Sequence, residues 1–121
     1  MKYIKFEVNN REIVFVCEAR DTRSGFAHDA NLFVDGCPWG KASCFYLNRT
    51  WESWSFQSAC LQACYEKIDR LAGWIKDAYK DEHGLTRVCG KRKDEVKALI
   101  DSDTDIILLR EVMNVLRSRS F

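Results

Sequence analysis

Residues 56–84, "FQSACLQACYEKIDRLAGWIKDAYKDEHG", decide how the chain folds. Phe56, Cys60, Cys64, Ile68, Leu71, Ile75 and Tyr79 recur at intervals of three or four residues. That spacing puts them on one stripe of an α-helix, because a helix turns every 3.6 residues. The stripe predicts about 28 helical residues, about 40 Å of continuous helix at 1.5 Å per residue, within the span 53–83. Gly84 follows where a left-handed residue ends such a helix.

Upstream the period changes to two. Ile4, Phe6 and Val8 alternate with Lys5 and Glu7, as in a half-buried strand. Asn9-Asn10 tolerates positive φ and predicts a tight hairpin. Residues 12–19 are apolar on both faces (Ile13, Phe15, Cys17 against Val14, Val16), so they read as an inner strand covered on both sides. A third strand spans 26–35, with Ala30, Leu32 and Val34 on one face. A turn over 36–40 holds the single proline, Pro38, and a fourth strand covers 41–48. Four consecutive strands with short connections predict an antiparallel meander.

Between sheet and helix lies "CFYLNRTWESWSF", residues 44–56. Asn48, Thr50 and Ser53 suit helix N-caps, and Glu52 suits the positive end of the helix dipole. On that reading Trp51 and Trp54 wedge the helix onto the sheet, and the segment is a joint. The sharper reading exposes Arg49, Trp51 and Trp54 as a docking patch, since Arg and Trp dominate interface hot spots. A catalytic reading has little behind it, because Glu52 has no second acid, His or Lys beside it in sequence.

Downstream, a short helix beginning at Lys91 offers Val96, Leu99 and Ile100. The run Asp101-Ser102-Asp103-Thr104 supplies N-caps for a last helix carrying Ile106, Leu109, Val112, Met113 and Leu116. Strands first and helices after make an α+β fold. The expectation is one domain over 1–121: sheet in 1–48, long helix in 53–83, C-terminal helices in 91–119. Leu61, Tyr65 and Trp74 sit off the main stripe, and imply burial in a third layer or against a second copy in a homodimer.

Composition bounds the function. The 121 residues are 46% hydrophobic and 31% charged, ordinary for one folded domain. Net charge is +1, so no global field recruits nucleic acid or anionic lipid. No apolar run approaches the ~20 residues that span a bilayer. The start, MKYIKFEVNN, lacks a secretory pattern. The cytosol of the host cell is therefore the expected compartment, where Asn48-Arg49-Thr50 meets no glycosylation machinery and the six cysteines stay reduced.

Those cysteines are expected to be mostly buried, packing as small hydrophobes. Cys60 and Cys64 share a helical face, as metal ligands or a redox pair would, but they also lie on the core stripe, and the paired short spacings of zinc sites are missing. A thiol or metal enzyme is the weakest of three functional readings, and no cofactor is expected. His28 reads as a hydrogen-bonded core histidine, and His83 as part of a helix C-terminus.

Basic residues gather at Arg87, Lys91, Arg92 and Lys93, with Lys97 beyond. "GKRK" at a helix start offers side chains and free N–H groups to phosphates. Asp94 and Glu95 dilute it, so a solvated helix start competes with a contact to nucleic acid or an acidic protein. There is no P-loop, dinucleotide fingerprint, HExxH or G-x-S-x-G. All of this points away from the common enzymes.

One stretch is similar to a known pattern. Gly25, Phe26, His28, Ala30 and Leu32, then Ala42, Tyr46, residues 48–52 and 56–58, follow the form GF-x-H-x-A-x-L … A-x-x-x-Y-x-NRTWE-x-x-x-FQS. It resembles small proteins of phages and other bacterial mobile elements, over residues 24–65. Proteins with this pattern are generally of unassigned function, and some phage proteins of this size and kind inhibit host defence. The resemblance therefore leads to the expectation of a non-catalytic protein that binds and inhibits a host defence protein, with anti-CRISPR inhibition of a Cas nuclease as the specific case. It brings no catalytic residues. The alternative from the residues themselves is a small nucleic-acid-binding accessory protein using 87–97.

Overall fold

A computed structural model describes residues 1–23, 25–46 and 52–119, apart from the side chains of 46 and 52–55. Four strands, β1 (Lys2–Val8), β2 (Arg11–Thr22), β3 (Gly25–Val34) and β4 (Cys37–Tyr46), form an antiparallel sheet in the order β1-β2-β3-β4. Three helices follow: α1 (Glu52–His83), α2 (Lys91–Ser102) and α3 (Thr104–Ser118). The fold is α+β, as the change of period requires.

The turns explain the meander. Asn9 and Asn10 both take positive φ, 51° and 63°, the two left-handed residues of a tight hairpin. Asp35 and Gly36 do the same between β3 and β4, at 50° and 79°. The second turn is therefore shorter than the 36–40 expected, and β4 starts at Cys37 rather than 41. Pro38 lies within it. This is tolerated because β4 is an edge strand, where a missing N–H breaks no ladder. The register shifts here: Phe33 pairs with Pro38 and Leu32 with Gly40, leaving Trp39 between them as an extra residue. The Asp35 carboxylate accepts bonds from the Glu12 N–H (2.9 Å) and from Arg11 Nε, tying this turn to the start of β2.

Helices cover one face of the sheet. Helix α1 packs on β3 and β4, while α3 lies beside α1 and reaches β1. Ile4, Ile13, Phe15, Cys17, Ala30, Leu32 and Val34 meet Ala59, Cys60, Ala63 and Cys64 from α1, and Leu109, Val112, Met113 and Leu116 from α3. The small α1 residues let the helix sit close to the sheet. Among the described residues the other face is open. Val14 and Val16 are half-buried rather than enclosed, sheltered by their cross-strand neighbours Phe33 and Tyr3. Strand β2 is thus internal, but its second apolar face reflects cross-strand packing and not a second helical layer.

Helix α1 outruns the sheet. Its 32 residues extend about 48 Å, whereas β4 has 10 residues, about 33 Å. Ile68, Leu71 and Ile75, past the close-packed stretch, are only half-buried. Beyond them Tyr79 joins Val88 and Val96 in a second, smaller cluster, with Leu85 and Ile100 against it. The helix ends as its glycine predicts. Gly84 takes φ 63°, its N–H reaches the Asp81 carbonyl (3.3 Å), and the Leu85 N–H reaches Lys80 (2.8 Å). Of the caps offered before α3, Asp103 serves, accepting from the N–H groups of Asp105 and Ile106 at 3.0 Å each. Among the described residues no helix is long and apolar enough to cross a membrane.

Candidate partner-binding surface

The overhang of α1 creates the most distinctive surface. Where β4 begins, the extra residue Trp39 turns toward the helix. Lys67 Nζ stands 5.8 Å from the Trp39 ring centroid and 5.6 Å from that of Trp74, two turns further along α1. The Arg11 guanidinium also approaches Trp39, at 5.8 Å from its ring centroid. A cation over an aromatic face is held by the ring's quadrupole, at about 0.5–1 kcal/mol where water competes. Trp74 is 57% exposed, and Arg70 beside it is also exposed. Arg70 reaches the sheet edge, where it lines a cavity of about 420 Å³ with Phe33, Pro38 and Lys41. The result is an exposed aromatic and cationic patch at the end of the sheet.

A second surface surrounds the distal cluster. The Tyr79 hydroxyl donates to Glu95 and its oxygen accepts from Arg92 Nη1 at 3.4 Å, while the His83 ring stacks on Tyr79 at 4.1 Å. The hydrogen bond to Glu95, with burial, pushes the phenol above its ordinary value. Lys93 and Lys97 stand on the opposite side of α2, with Lys76 of α1 facing them. The basic segment is thereby divided. Arg87, Lys91, Arg92 and Lys93 are all exposed, but Arg92 turns to the Tyr79–Glu95 side and Lys93 away from it. Helix α2 starts at Gly90 without a side-chain cap.

Of the other residues singled out by sequence, Arg49 and Trp51 lie outside the described residues, as does the side chain of Trp54. No local sequence pattern pairs the two tryptophans that the structure brings together through Lys67, Trp39 and Trp74. A lysine and a tryptophan seven residues apart were visible in α1, but their proximity to Trp39 depends on how the helix crosses the sheet. Leu61 packs against the main core, and Tyr65, 45% exposed, accepts from Arg117 Nη2 at 2.7 Å.

Cys17, Cys60 and Cys64 are buried between sheet and helix, Cys44 is half-buried, and Cys37 and Cys89 are exposed. The Cys17 and Cys60 sulfurs lie 3.6 Å apart. That contact, with burial, pushes Cys60 up, and burial pushes Cys64 up to about 12. Cys60 and Cys64 are thus packing atoms held as thiols. His28 is buried, its ring edge-on to Phe26 (5.1 Å) and Phe56 (4.5 Å), which locks β3 to the first turns of α1.

No protein-family model, curated protein or solved structure matches the chain.

Proposed function

We propose that the protein acts without catalysis, as a phage or mobile-element product that docks on a host defence protein and inhibits it, a Cas nuclease being the specific partner class. One observation supports the docking half of this reading: Trp39, Lys67 and Trp74 meet at an exposed edge where the sheet stops and the helix continues. Tryptophan in a patch that desolvates on contact is the chemistry that carries interface energy. The host and inhibitory role come from the resemblance over residues 24–65.

The test is retention of a host protein from nuclease-treated lysate by the intact chain and by Trp74→Ala. The expected result is one host protein held at fixed stoichiometry and lost with the variant. Recovery of abundant housekeeping proteins alone would overturn it. The nucleic-acid reading, supported by the exposed Lys91, Arg92 and Lys93 at the α2 start, predicts affinity for a generic duplex that falls steeply with salt.

A further inference from the structure

Helix α2 and the end of α1 form a second groove, which shares no lining residue with the tryptophan pair. Its floor is Val88, Val96 and Ile100, and its rim is Lys76, Lys93 and Lys97, in a volume of about 250 Å³. Lys93 and Lys97 follow each other by one helical turn, and Lys76 comes from the other helix, so positive charge flanks the apolar floor from both sides. The packing beneath is thin: Val88 and Val96 are buried but keep 9% and 5% of their surface open, and Ile100 is only half-buried.

We infer that this groove receives an acidic segment of a protein partner, one bulky apolar side chain resting on Val88, Val96 and Ile100 and carboxylates meeting Lys76, Lys93 and Lys97. The inference rests on the docking reading and names the chemistry of one contact within it. Three features select this occupant. The volume fits a single large side chain, not a folded surface. The apolar floor gains free energy only if an apolar group covers it, which a phosphate backbone does not supply. The three lysines supply the positive charge that carboxylates meet, and the pair Lys97 makes with Asp101 at 3.4 Å is solvent-exposed, so a partner's carboxylate can replace it.

The experiment measures anisotropy of a short labelled peptide, a central phenylalanine flanked by glutamates, titrated with the full chain. Parallel titrations use the same peptide with serine for phenylalanine, and a single-stranded oligonucleotide of equal charge. The expected result is saturable binding of the first peptide, unchanged in Trp74→Ala. It should be weakened at least about tenfold by the serine change, which removes the buried apolar side chain, and severalfold by K93A/K97A, which removes two exposed charge contacts. Circular dichroism of K93A/K97A establishes that the exposed changes leave the fold intact. Equal or tighter binding of the oligonucleotide, or indifference to the serine change, would overturn the inference, as would no binding at all. Its failure is separable from that of the docking reading: a host protein lost with Trp74→Ala but retained by K93E/K97E sinks the groove alone, and no retained protein sinks the docking reading.

Discussion

The first half of α1 and its second half are the same helix in different surroundings. From Ala59 to Cys64 the helix lies on the sheet, and the residues facing β3 and β4 are closed to solvent. From Ile68 to Ile75 the same stripe continues at the margin of the core: Ile68 and Leu71 still pack against it, but the side chains are only half-covered and Trp74 stands in water. At the far end a small cluster around Tyr79 anchors α2. Stability is concentrated where a sheet, α1 and α3 close on each other. The surface chemistry suited to recognition is concentrated where they do not.

The largest effect should come from the closed half. Leu109, fully buried on α3, leaves a cavity when cut to alanine, and the loss should be about 2–5 kcal/mol in a urea unfolding curve. Val96→Ala in the distal cluster removes less and from a site open on one side, at most about 1.5 kcal/mol. Native-state hydrogen exchange should show α2 opening locally, with less protection than β2 or α3. Equal protection in α2 would break the contrast between the two halves.

Asp103→Ala, which strips two N–H acceptors from the start of α3, should cost about 1 kcal/mol by the same unfolding measurement. Thiol titration sharpens the contrast further. Cys37 and Cys89 should react with a disulfide reagent in the native state, and Cys17, Cys60 and Cys64 only on unfolding. Burial raises Cys64 to about 12, so the native state keeps a proton that the unfolded chain releases near about 8.5. The stability this group contributes is complete below that unfolded value and is lost as pH rises toward the folded one. The unfolding midpoint should therefore fall in base, with a shallower fall in Cys64→Ala.

Much of the fold was legible because local signals agreed. Asn9-Asn10 marked a turn, the stripe from Phe56 marked a helix, and Gly84 marked its end. Pro38 misled because proline is read as a turn residue, yet on an edge strand beside an extra residue it is harmless. Val14 and Val16 misled because cross-strand neighbours shelter a side chain nearly as a covering layer does. The Trp39–Lys67–Trp74 patch was not legible. Its members become neighbours only when a helix crosses a sheet at one particular end, which no local pattern encodes. The basic segment was visible as composition, but its division into two sides depends on how α2 packs against Tyr79.

The proposed docking role puts recognition on the overhang of α1 and not on the core. The direct measurement is paired: thermal unfolding and host-partner retention for the double variant K67A/W74A. The melting curve should stay close to that of the unaltered chain, because exposed cation–π contacts contribute only about 1 kcal/mol, while the retained partner should be lost. Full retention, or loss of partner and fold together, would contradict that role.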